Sequence, residues 1–168
     1  MDVKAALNNL KNSKVFTKWR KYHKDTFFSY AFKIKEEMPN GDWQLGFYDK
    51  KSDTITTFVI EGGRVSIRPN EEIFKRDETD INKLDIEKVK LSFDAIVQNA
   101  VQFQQKNYPK DKSIKTIAIL QNIQEFGDIW NLTFVTESFN TLNMKINASN
   151  GKIVEHRLSS ILSLRQKE

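Results

Sequence analysis

Few residues of this 168-residue chain are suited to chemistry. The two histidines are His23, set among lysines, and His156, beside Glu155 after the last turn signal. A two-histidine metal site would need them to meet across the fold. Neighbours on a strand point to opposite faces, so Glu155 and His156 cannot act as a simple acid–base pair. Glu36-Glu37 precedes a turn and reads as solvent-exposed rather than as a carboxylate dyad. Asp77, Glu78 and Asp80 approximate calcium-loop spacing but lack the central glycine and closing glutamate. No G-x-S-x-G, P-loop or G-x-G-x-x-G is present, and Gly62-Gly63 lacks the spacing for a phosphate cradle. With no cysteine, disulfides, thiolate catalysis and thiolate-bound zinc are excluded. The expectation is a non-enzyme with no catalytic residues, no metal and no cofactor.

Two residue sets could bind rather than react. The net charge is +5, and the stretch Lys11 to Lys24 carries no acid. Lys14, Lys18, Lys21 and Lys24 fall at helical spacing, with Trp19 and Tyr22 between them. Lysines on one face suit backbone phosphates, and aromatics can stack bases. Against this, Trp19 and Tyr22 lie near the apolar face, where packing in the core or at its rim is the better reading. Acidic residues between Glu71 and Asp94 also dilute the field. The second set is Phe28, Trp43, Phe93 and Trp130, which would either line a ligand groove between helix and sheet or fill the core. Core filling is the favoured reading.

These residues must be positioned by helices and strands. Val3, Ala6, Leu7 and Leu10 predict a helix over 3–11 capped by Asp2. Asn12-Ser13 breaks that face, and Ser13 starts a second helix ending near Asp25. Phe28, Tyr30, Phe32 and Ile34 alternate as a strand over 27–36, closed by a turn at Pro39–Asp42. Strands follow from Trp43 and over 54–60, then a tight turn at Gly62-Gly63 and a short strand stopped by Pro69. Residues 70–90 are a polar connection pinned by Ile73, Phe74, Ile81, Leu84 and Ile86. Val89, Phe93, Ile96, Ala100 and Phe103 give the clearest helix, 89–106, with Ser92 as a cap and glutamines on its solvent face. A strand over 113–120, a loop from Gln121 to Asp128, strands over 129–137 and 139–147, and an Asn150-Gly151 turn into a final short strand complete the chain.

Both halves therefore run helix, strand, strand, strand, short strand. Trp43 stands 20 residues before Gly63, and Trp130 stands 21 before Gly151. An internal repeat of this kind orders a whole chain, and a helix across an antiparallel sheet is a stable two-layer unit. The fold expected is α+β, as two tandem helix-plus-antiparallel-sheet units: 1–70, a polar connection over 71–88, and 89–168. Units this small are marginal alone, so they should share an interface, either sheet edge to sheet edge or through the long helices of the first half.

The second half resembles a PepSY domain. The residues that carry the resemblance are Trp130, Leu132, Phe134, Met144, Ile146, Asn147, Ala148, Gly151, Lys152, Ile153 and Val154. It covers about 89–158. The first half departs from the pattern at Glu61-Gly62-Gly63-Arg64. The resemblance implies a doubled PepSY-like, more broadly cystatin-like, fold, with peptidase inhibition or binding at the cell envelope as its function, and it offers no catalytic residues to carry over.

The function expected is a non-enzymatic soluble binding module with a protein partner, engaged through an exposed strand edge; nucleic acid or a small ligand is the alternative, and a homodimer is allowed. No stretch reaches the length of a membrane span. Residues 1–9 carry no basic lead and apolar run of a signal peptide, which places the chain in the cytoplasm, or at the envelope if a leader has been lost.

Overall fold

The computed structural model describes residues 1–36, 43–68, 71–72 and 80–162. The turn expected at Pro39–Asp42, the anchors Ile73 and Phe74, and Asp77 and Glu78 lie outside them.

Among the described residues, three α-helices cover one face of a single antiparallel sheet. The helices are α1 (Val3–Asn12), α2 (Lys14–Arg20) and α3 (Phe93–Asn107). The strands are β1 (Phe27–Glu36), β2 (Trp43–Asp49), β3 (Thr54–Glu61), β4 (Arg64–Ile67), β5 (Glu71–Glu72), β6 (Ser113–Ile123), β7 (Gly127–Thr136), β8 (Asn140–Asn147) and β9 (Ile153–Ser160). Among the described residues they form one sheet in the order β4-β3-β2-β1-β6-β7-β8-β9, with β5 pairing β3.

This corrects the expectation of two distinct sheet units: of the two interfaces expected, the one formed sheet edge to sheet edge is present, and it merges the sheets into one. The first strands of the two meanders, β1 and β6, pair with each other from Tyr30↔Gln121 to Glu36↔Lys115. Each meander offers an open row of peptide groups along its first strand, and such an edge is satisfied by another strand. Joining them turns two four-strand ladders into one sheet and one core.

Alternation sets which side chains meet the helices. Ala31, Trp43, Leu45, Phe47, Phe58, Ala118, Leu120, Trp130, Leu132, Phe134, Met144 and Ile146 are buried on the helix side. From α1, Val3, Ala6, Leu7 and Leu10 pack against this layer, and from α3, Phe93, Ile96, Val97 and Ala100. The core is continuous across the middle of the sheet. Trp43 lies 6.2 Å from Trp130, and Phe93 lies 5.9 and 5.8 Å from the two indoles, centroid to centroid.

The helix ends follow local chemistry. Ser13 and Ser92 cap α2 and α3, accepting hydrogen bonds from the amides of Phe16 (3.1 Å) and Ala95 (3.2 Å). Asp2 stands at the N-cap of α1 but makes no side-chain cap bond. The second helix stops at Arg20, five residues before the expected Asp25. Arg20 bends back instead, its Nη1 donating to the carbonyls of His23 (3.2 Å) and Thr26 (2.9 Å) and to Thr26 Oγ1 (2.7 Å). These bonds tie a compact turn where a further helical turn was expected.

Candidate functional site

The face of the sheet away from the helices carries a cleft of about 920 Å³. Its floor is Tyr30 and Phe32 of β1, Ile55 of β3 and Ile119 of β6, all on the side of the pleat opposite the core layer. Ile81 and Asn82 of the polar connection before α3 form one wall, and residues 121–125, where β6 turns into β7, form another, with Lys145 nearby.

Local structure fixes these positions. A bulge between Phe28 and Tyr30 leaves Ser29 as the extra residue of β1, and its hydroxyl donates to Gly46 O at 3.1 Å. Tyr30 lies flat over Gly46. A Cβ at Gly46 would fall 2.0 Å from Tyr30 Cε1, so glycine is what lets the ring approach. The phenol is held by Thr57 Oγ1 at 2.8 Å. At the far wall, Asn122 donates to Asp128 Oδ1 at 2.8 Å, and Asp85 N approaches the same oxygen at 3.4 Å. Leu84 N–H donates to Phe28 O at 2.9 Å. These bonds moor the connection beside the cleft. Lys145 Nζ pairs with Glu155 Oε1 at 2.6 Å and sits 5.3 Å from the Phe126 ring centroid, so its charge is already matched.

Polar groups at and around the cleft are already engaged within the fold. The Ser29 hydroxyl is committed to a carbonyl. Neither histidine lines the cleft. His23 stacks on Trp19 at 4.7 Å with Nδ1 2.8 Å from Trp19 O. His156 Nδ1 is 2.7 Å from Tyr108 Oη, while Glu155 turns the other way to Lys145. Among the described residues no group of three His, Cys, Asp or Glu side chains gathers as metal ligands.

The residues singled out from the sequence lie elsewhere. Lys14, Lys18, Lys21 and Lys24 are all exposed, but only the first two belong to α2; Lys21 is its C-cap and Lys24 lies in the turn beyond. Their helical spacing therefore does not continue along one face. Trp19 is buried against Phe16, Phe47 and Phe58, whereas Tyr22 is 85% exposed. Phe28, Trp43, Phe93 and Trp130 are all buried core rings. Trp43, Phe93 and Trp130 pack on one another instead of lining a groove, and Phe28 packs on Phe47 at 5.5 Å.

The expected loop from Gln121 to Asp128 is largely strand: β6 runs to Ile123 and β7 begins at Gly127. Sequence reasoning missed the cleft because its lining comes from five distant segments. One signal was available. Ile117, Ala118, Ile119 and Leu120 are apolar on both faces of their strand, which marks a central strand with something to cover on each side.

No protein-family model and no curated protein matches the chain. Among solved structures, the fold is similar to that of a "putative lipoprotein" from Clostridium difficile 630, with a TM-score of 0.57 and 12% identity, covering 86% of this chain and 90% of that one. At that identity the likeness shows the fold alone. It corrects one expectation. The cytoplasmic placement drawn from residues 1–9 does not stand, because the same fold occurs in a chain named as a lipoprotein. No helix among the described residues is long and apolar enough to cross a membrane.

Proposed function

We propose that this protein is a non-enzymatic binding module of the cell envelope that holds a small, uncharged amphipathic ligand against the helix-free face of its sheet. The cleft carries the reading. Its size falls within the range of small-ligand sites, roughly 300–1,000 Å³. Its floor is aliphatic and aromatic, and its rim offers the amides of Asn82, Gln121, Asn122 and Gln124, each both donor and acceptor. The cation at the rim, Lys145, is paired with Glu155, and Asp80 and Glu125 disfavour an anion. The envelope placement is supported by the fold shared with the "putative lipoprotein". Peptidase binding rests on the PepSY resemblance alone, and nucleic-acid binding rests on four lysines that the helix end at Arg20 divides.

The experiment is a titration with a neutral solvatochromic dye such as Nile red. Wild-type protein is expected to raise its emission saturably. Ile119→Lys places a charge on the floor and should weaken dye binding by at least about tenfold, the scale of losing one buried apolar side chain from a site. Melting temperature checks that the variant remains folded. Binding that ignores Ile119→Lys, or no saturable binding, overturns the proposal.

A further inference from the structure

The two edges of the sheet differ. One is built from two short strands laid end to end on β3, the four residues of β4 with Arg64 and the two of β5, Glu71 and Glu72. The β9 edge is eight residues long and reads Ile-Val-Glu-His-Arg-Leu-Ser-Ser. Its inner side pairs with β8 from Asn140↔Ser160 to Ile146↔Ile153, with a bulge at Val154. Large apolar side chains gather there: Val154 and Leu158 on the strand are 36% and 37% exposed, and Phe139 and Leu162 at its end are 71% and 67% exposed. The Ile161 amide, donating to Phe139 O at 3.0 Å, holds the last two together. A long edge with apolar side chains is normally blunted or covered.

The order of residues on β9 specifies what covers it. Two copies of one chain joining edge to edge in a continuous antiparallel sheet are related by a twofold axis normal to that sheet. Such an axis keeps every side chain on its own face, so it must pass beside a single residue paired with its own copy. An axis at Glu155 or at Arg157 sets like charges directly opposite, which destabilises the pair. An axis at His156 sets Glu155 opposite the mate's Arg157, Arg157 opposite the mate's Glu155, and Val154 opposite the mate's Leu158. We propose that the protein forms a homodimer by antiparallel pairing of β9 with β9 about a twofold axis at His156. The partner is a second copy of this chain, and the interface is independent of the cleft. Glu155 keeps Lys145 within its own chain (2.6 Å) and accepts Arg157 from the other, so a lysine and an arginine flank each glutamate on the open face. His156 stays on the helix side, against Tyr108 and Phe103.

Sedimentation of the full chain tests this. Wild type should self-associate reversibly at concentrations up to on the order of 100 µM, the range for a small interface. Arg157→Glu and Glu155→Arg should each be monomeric at that concentration, because each sets like charges across the axis. An equimolar mixture of the two should dimerise, since every cross-strand pair is then of opposite sign. A chain without cysteine allows a second readout. Cα atoms of a residue paired with itself lie about 4.5–5.5 Å apart, within disulfide reach, so His156→Cys should oxidise to a covalent dimer and Ser159→Cys should not. A monomeric wild type, a dimer that persists in Arg157→Glu, monomers in the mixture, or equal crosslinking at 156 and 159 overturns the proposal.

Discussion

The two halves of the sheet place the same residue types at the same ladder positions. Trp43 pairs with Ile60, Leu45 with Phe58 and Ala31 with Leu45; in the other half Trp130 pairs with Ile146, Leu132 with Met144 and Ala118 with Leu132. The differences are local. Where the second half has Leu120 under the helices, the first has Lys33, whose ammonium lies 5.0 and 5.4 Å from the Trp43 and Phe93 centroids. Where the second half sets Ile117 opposite Thr133 on the other face, the first sets Tyr30 opposite Gly46. The helical layer differs more, with α1 and α2 over one half and α3 over the other. Sheet register is thus the shared feature, and the side chains that fill and line it diverge. One face is constrained by a packed core and the other by a cleft.

The tryptophans test the sharing of that core. Trp43 is 2% exposed and donates Nε1–H to Met1 O at 2.9 Å. Trp130 is fully buried, and among the described residues its Nε1 has no hydrogen-bond partner. Trp→Ala at either position should cost about 3–5 kcal/mol, as for large aromatic truncations in a core, in one cooperative urea transition. Two transitions, with each variant shifting only one, would mean that the halves fold separately. Trp→Phe separates the sites further. At Trp43 it removes a hydrogen bond, and at Trp130 it removes an unsatisfied buried donor, so Trp130→Phe should be the milder change by about 1 kcal/mol.

A smaller effect is expected on the other face. Gly46→Ala drives a Cβ into the Tyr30 ring, and relief requires the ring to swing away from Thr57. The cost should be about 1–3 kcal/mol, typical of overpacking, with weakened dye binding in the cleft that Tyr30 lines. Thr133→Ala, at the matching position of the second half, should cost less. The double change Tyr30→Ile with Gly46→Thr installs the second half's pair in the first and should recover most of the stability lost in Gly46→Ala. A double variant no more stable than Gly46→Ala would show that the two positions are not equivalent.

The sequence shows the parts of this fold that depend on near neighbours. Alternation at 27–36 and 130–147, the break at Asn12-Ser13, the Ser92 cap and the Gly62-Gly63 and Asn150-Gly151 turns are all local physics, and their elements lie close to where they were expected. Pairing of β1 with β6 is not local. Either meander's outer strand could equally have been a free edge, and only the two-faced apolar run at 117–120 argues for a central position. The same gap hid the cleft. Gln121, Asn122 and Gln124 look like a loop because they are polar, yet two of them continue β6 and all three line a site whose floor includes Tyr30 and Phe32, about ninety positions earlier.

The smallest expected effect concerns the ion pairs of the two halves. In the first half, Asp25 and Lys51 pair at the surface, with side chains 68% and 79% exposed. In the second, the Lys145 side chain is 22% exposed beside Glu155. The hydrogen bond from Lys51, and then its charge, hold the Asp25 carboxyl below its usual range; the Asp25 carboxylate in turn raises the Lys51 ammonium. A carboxyl with a depressed folded pKa contributes stability above its unfolded value, about 3.9, and that contribution disappears as pH falls through the depressed value. An ammonium with a raised folded pKa contributes below its unfolded value, about 10.4, and loses that contribution as pH rises through the raised one. Asp25→Asn should therefore lower the melting temperature slightly near neutrality, and its difference from wild type should vanish as pH falls through the lowered Asp25 value or rises through the raised Lys51 value. Because both groups face solvent, salt should screen even this difference. Lys145→Met should instead shift the melting temperature measurably near neutrality, with less sensitivity to salt, because its pair is partly withdrawn from water. Equal salt sensitivity in the two variants would show that solvent reaches the second pair as freely as the first.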